Sequence, residues 1–197
     1  SKHRHMDQLF GGGGWRTALQ AHSSHECESL LRKAYESALT DLGWRVLPFR
    51  MVNKHNQTQY YLFFATQNWL GYLQMKQAMW NAAPGGEFTY ADLHDRRQAN
   101  LFDDQFQALY AQSLAESLRR DCEGKTLSKR QIIERHLAWH PVCIKKHLTI
   151  ALKALEYEDD PSTIEAVVLP DGRLRRKGTY PEDCTIRFAR RTVLHAN

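Results

Sequence analysis

Cysteine is sparse in this chain and never closely spaced. Cys27, Cys122, Cys143 and Cys184 form no Cys-x-x-Cys pair, which argues against a four-cysteine zinc site or a disulfide framework. Reduced thiols and a cytoplasmic location are the expectation. No window approaches about 18 consecutive apolar residues, so neither a transmembrane helix nor a membrane partner is expected. The stretch Ser1-Lys2-His3-Arg4-His5-Met6 lacks the apolar core of a secretory signal. Glycine clusters only at Gly11–Gly14, where Trp15-Arg16-Thr17 follows. A phosphate-binding loop needs Gly-Lys-Ser/Thr at that point, so the tract reads as a flexible joint or loop tip. Internal repeats are absent.

What is present suits a globular protein of one sizeable domain or two small ones: 197 residues, 42% hydrophobic and 25% charged. The formal charge is +5, and its placement says more than its size. Residues 125–153 carry Lys125, Lys129, Arg130, Arg135, Lys145, Lys146 and Lys153 against Glu134 alone, a local balance of +6. Residues 154–165 carry Glu156, Glu158, Asp159, Asp160 and Glu165 with no basic residue, a balance of −5. From 171 to 191 Arg173, Arg175, Arg176, Lys177, Arg187, Arg190 and Arg191 outweigh Asp171, Glu182 and Asp183.

The apolar spacing of Cys27, Leu30, Leu31, Ala34, Tyr35, Ala38 and Leu42 predicts a helix over 26–42, stopped by Gly43. Two β-type runs follow, 45–52 and 59–66, joined by a polar link and expected to pair antiparallel. Residues 69–82 read as a helix buried on two sides, ended by Pro84-Gly85-Gly86. The polar stretch 87–103 marks a boundary. A helix over about 104–121 carries the stripe Phe106, Leu109, Tyr110, Leu114 and Leu118. Ser128 can cap a short helix over 129–138. Pro141 is expected to start the next helix, 141–157. Strands at 164–169 and 185–189 then flank a basic excursion.

Three helices, a tight joint between the second and third, and a hairpin with a basic tip form the order of a winged helix-turn-helix. A recognition helix enters the major groove by its N-terminal half, which places Lys145, Lys146 and Thr149 near phosphates and base edges, with Lys153 on the same side. Lys129 and Arg130 begin the preceding helix. Arg173, Arg175, Arg176 and Lys177 would grip phosphates from the wing. The acidic residues 156–160 oppose the helix dipole and are expected to keep that end of the helix off a polyanion. A solvated helix face and an edge strand guarded by arginines would use the same residue types, as would a module that docks a protein.

Metal and catalytic signals are weaker. His136, His140, Cys143 and His147 have suggestive spacing, but Pro141 divides them and Leu137 stands where a zincin needs glutamate. They read as joint-packing side chains, with no metal assigned. No nucleophile–base pair stands out.

The segments Tyr60-Tyr61-Leu62-Phe63-Phe64-Ala65-Thr66-Gln67-Asn68, Met79-Trp80 and Pro170-Asp171-Gly172-Arg173-Leu174-Arg175-Arg176 resemble the three-Cys-motif partner protein (TcmP) family, over residues 5–190. The resemblance implies an α+β fold. In it, residues 1–103 would be the C-terminal piece of a class I methyltransferase-like α/β fold (helix, antiparallel strand pair, helix), and 104–197 a winged helix-turn-helix domain. It also implies S-adenosylmethionine for the full-length family and a three-cysteine-motif protein as a partner. Neither the glycine-rich cofactor loop nor the Asp-Pro-Phe/Tyr motif of such proteins occurs here, so no cofactor or catalytic residue is carried over. The expected function is a nucleic-acid-binding module, with DNA the favoured partner, and not catalytic by itself. The alternatives are part of a nucleic-acid methyltransferase and a docking module for a DNA-repair or defence partner. Two strands alone are marginal in water, so the 45–66 pair should be covered by a missing N-terminal half, a second copy or another protein.

Overall fold

The computed structural model describes residues 2–83, 89–91, 96–140, 142–157 and 162–190, and only the backbone of 2, 91 and 96–104. Helix α1 (Lys2–Leu9) ends at Gly11 and Gly12, whose φ values of 64° and 147° suit glycine, and a 3₁₀ helix (Gly13–Gln20) follows. The tract, expected to be a flexible joint or loop tip, is a hydrogen-bonded turn leading into this helix. The Phe10 and Gly12 amides donate to the Met6 and Asp7 carbonyls, and buried Trp15 donates from Nε1 to Asp7 at 3.0 Å. Helix α2 (Ser24–Asp41) starts where the Ser23 hydroxyl accepts from the Glu26 amide.

Strands β1 (Arg45–Val52) and β2 (Thr58–Thr66) form the expected antiparallel pair, with Pro48 opposite Phe63 and Phe49 opposite Leu62. Alternation sends Leu47, Phe49 and Met51 to one face and leaves Tyr61 and Phe63 on the other, against α2. Helix α3 (Trp69–Ala82), capped by the Asn68 side chain, is buried on two sides as its sequence suggested. Leu73 enters the C-terminal core, while Tyr72, Met79 and Trp80 pack with Leu47 and Phe49. Strand β3 (Thr89–Ala91) pairs parallel to β1, giving the order β2-β1-β3.

Helix α4 (Arg96–Asp121) starts earlier than expected, so residues 103 and 104 lie inside it. Leu114 and Leu118 are buried as read, but Phe106 and Leu109 are exposed; the inward stripe continues through Ala111 and Ala115 instead. Strand β4 (Thr126–Ser128) leads into α5 (Lys129–Ile132), opened by a capping box between Ser128 and Gln131 and continued by a π-helical turn, Ile133–Leu137. Helix α6 (Lys145–Tyr157) follows, then β5 (Ile164–Val168) and β6 (Thr185–Phe188), in the sheet order β4-β6-β5. Leu114, Leu118, Ile132, Leu137, Leu148, Leu152, Leu155, Ile186 and Phe188 fill this core. The chain is thus α+β, with two small three-stranded sheets among the described residues. Pro84-Gly85-Gly86, Pro141, residues 158–160 and Arg191 lie outside the described residues.

The start of α6 differs from the expectation at Pro141, and two histidines account for it. His140 Nδ1 accepts from the amides of Val142 (3.4 Å) and Cys143 (3.2 Å), and the helix itself begins only at Lys145. One step on, the Ile144 amide donates to His147 Nδ1 at 3.1 Å, as a glutamine would in a capping box. Lys76 of α3 closes the other side of this joint. Fully buried, its Nζ donates to the carbonyls of Leu137 (3.0 Å), Ala138 (3.2 Å) and His140 (2.6 Å), at the negative end of the α5 helical segment.

Candidate nucleic-acid interface

On α6 the period of 3.6 residues puts Leu148, Ala151, Leu152 and Leu155 in the core and turns Lys145, Lys146, Thr149 and Lys153 to solvent. These four fall within an arc of roughly 100°, so they share one face. The Thr149 hydroxyl donates back to the Lys145 carbonyl at 3.5 Å. Among the described residues no carboxylate pairs with any of the three lysines. Exposed Tyr157 ends the face.

The hairpin loop is organised differently from the sequence reading. After the turn at Gly172 (φ 81°), Leu174 bridges back to Val168, and the chain then crosses to β6 over the C-terminal end of α6. Glu156, expected among carboxylates that keep their end of the helix off a polyanion, is buried beneath this crossing. Its Oε2 accepts from Arg175 Nη2 (2.6 Å), the Tyr180 hydroxyl (2.7 Å) and the Gly178 amide (3.0 Å). Arg175 also stacks over the Tyr180 ring at 4.7 Å, and its side chain is only 4% exposed. It is therefore a structural cation, unavailable to a phosphate, and this corrects its assignment to the contact set.

Lys129 is corrected for a similar reason. Its Nζ donates to the Tyr180 carbonyl (2.7 Å) and to Glu182 (3.2 Å), and its side chain is 12% exposed. Arg173 is exposed but forked onto Asp171, with Nε to Oδ2 at 2.7 Å. Arg130 is exposed on α5 rather than on the α6 face. Arg176 and Lys177 remain exposed with no carboxylate partner among the described residues. A Cβ on Gly178 would lie 2.9 Å from the Tyr157 hydroxyl, so the loop abuts the last turn of the α6 face. Arg176 and Lys177 thus belong to the loop that meets α6 at Tyr157, the end of that face.

Burial raises the Glu156 carboxyl, but hydrogen bonds from Arg175, Tyr180 and Gly178 outweigh it and hold the group below its ordinary value of 4.5. A lowered carboxylate contributes stability above its unfolded value and loses it as pH falls through the folded one. Glu156→Gln should therefore cost about 2 kcal/mol at pH 7 in urea unfolding. The gap between the two proteins should close below pH 4.5; a constant gap would show that the charge is not what stabilises the loop.

His147 packs edge-on against Trp80 at 4.7 Å, and His136 Nε2 lies 3.5 Å from Cys122 Sγ. Burial pushes the Cys143 thiol up to about 12 and Cys122 to about 11, so both stay protonated. No metal-holding cluster and no helix long and apolar enough to cross a membrane occurs among the described residues.

No protein-family model matches this chain, and neither a curated protein nor a solved structure matches it.

Proposed function

We propose that the chain binds nucleic acid, with duplex DNA the favoured target, through the exposed face of α6 and the adjoining loop at Arg176 and Lys177. The observation that carries this is the set Lys145, Lys146 and Lys153 on one face of α6, with Arg176 and Lys177 in the loop against its last turn, none of them paired with a carboxylate among the described residues. The lysines and arginine supply phosphate contacts. The face holds no arginine, asparagine or glutamine of α6 itself, so base discrimination is weak and binding depends chiefly on charge.

The order helix, short strand, helix, helix, hairpin, with β6 between β4 and β5, supports a winged helix in which α6 is the recognition helix. The antiparallel pair β1–β2 between α2 and α3 supports reading the first part as the end of a methyltransferase-like fold of the TcmP type. On that reading the chain positions substrate for a catalytic half carrying S-adenosylmethionine and performs no chemistry itself. A three-cysteine-motif protein is the partner that accompanies this reading.

Counterion release tests the charge argument. Five phosphate contacts give a log–log slope of affinity against salt of roughly −4.5. Fluorescence anisotropy with a labelled duplex across a salt series reads it directly, and a flat response would favour protein docking.

A further inference from the structure

We infer that β2 is the interface of a homodimer, in which the edge strands of two copies pair antiparallel about a two-fold axis near Leu62 and join two three-stranded sheets into one of six strands. Strand β2 pairs with β1 on one side and, among the described residues, with no strand on the other. Exposed edges of this kind are normally guarded by lysine, proline or shortness. This one runs nine residues, Thr58–Thr66, without a charge or a proline. The uncharged stretch is longer still, since no Asp, Glu, Lys or Arg occurs from Gln57 to Met75.

Both faces of the sheet are left open at this edge. On the α3 side Tyr60 and Leu62 are 51% and 52% exposed. On the α2 side a cleft of about 410 Å³ opens between Phe10, Leu31, Tyr35, Tyr61 and Phe63. Helix α2, which should seal that side, has no fully buried residue in its 18. A strand added to β2 would cover both faces at once.

The occupant follows from the missing charge. A two-fold axis sets the central side chain beside its own copy and the others beside residues of the same uncharged run, so the pairing neither buries nor opposes a charge. A partner of different sequence is normally selected by complementary charge, and β2 offers none. Centring the axis on Leu62 sets Tyr61 opposite Phe63 of the partner subunit and Tyr60 opposite Phe64 of the partner subunit. Aromatic cross-strand pairs of this kind are the favourable ones. The pairing uses no residue of the α6 face, so it stands or falls independently of nucleic-acid binding.

Light scattering on the eluting protein at micromolar concentration should give twice the chain mass of 22.9 kDa. Leu62→Lys brings two ammonium groups together at the axis and should yield a monomer with an unchanged far-UV spectrum. Leu109→Lys, at an exposed position on α4, should remain dimeric. If Leu62→Lys fails to fold, Tyr60→Glu on the same edge makes the same test. A monomeric wild type, a higher oligomer, or a folded edge variant that stays dimeric would each overturn the interface.

Discussion

Replacing Lys76 by methionine should destabilise the protein by about 3 kcal/mol at pH 7, a drop in Tm of roughly 10 °C for a chain of this size. The methionine fills the lysine's volume but leaves the carbonyls of Leu137, Ala138 and His140 without the donor they now share. The Leu137 carbonyl keeps the His140 amide at 3.2 Å; a buried acceptor left without a donor costs about 1–3 kcal/mol, and relief of the ammonium's own desolvation offsets part of the loss. The loss falls on the joint that aims α6. An unchanged or raised Tm would mean that the lysine is only a burial cost.

The same residue sets a pH dependence of unusual sign. Burial lowers the Lys76 ammonium from 10.5 to about 8. Below pH 8 the group is charged in both the folded and unfolded chains, and the desolvation penalty is complete. Between 8 and 10.5 the folded protein has released the proton and the unfolded chain still holds it, so stability rises with pH. Wild type should gain on Lys76→Met by about 2 kcal/mol between pH 7 and pH 9.5. Paired urea titrations at the two pH values measure this, and a gap that widens in the other direction would contradict the assignment.

Removing Lys145, Lys146, Arg176 and Lys177 together should lower duplex affinity on the order of 1,000-fold at physiological salt, and the salt slope should fall to about −1. Lys153 alone would then remain of the five contacts. All four side chains are exposed, so the fold should be untouched. Changing Arg175 instead should lower stability first, because its guanidinium is the buried counter-charge of Glu156. This contrast separates the cations that face the ligand from the one that holds the loop. Equal effects of both changes on affinity, with stability intact, would undo the distinction.

Much of the secondary structure was legible because it rests on local chemistry. Ser128 marks a helix start, Gly43 a helix stop, and Pro48 opposite Phe63 belongs to a pair whose polar link was plain. The exposed lysines of α6 were legible for the same reason, since helical period alone sorts them from Leu148 and Leu152. The misreadings of charged side chains come from contacts distant along the chain. Lys76 meets its acceptors more than 60 residues away, and nothing in α3 distinguishes it from a surface lysine. In Arg173-Leu174-Arg175-Arg176-Lys177 the run is irregular, so no period reveals that one arginine turns inward. Glu156 looked like part of an acidic helix end because its partners lie 19 to 24 residues downstream. The start of α6 moved because histidine nitrogens, rather than the usual capping side chains, take up the amides of the joint.

Lysine acetylation mapped by mass spectrometry, with and without a duplex, addresses the shared surface most directly. The duplex should shield Lys145, Lys146, Lys153 and Lys177, while Lys33 and Lys54, exposed in the N-terminal half, stay fully reactive. Unchanged labelling of the four, or shielding of Lys33 and Lys54 in their place, would contradict the interface drawn along α6.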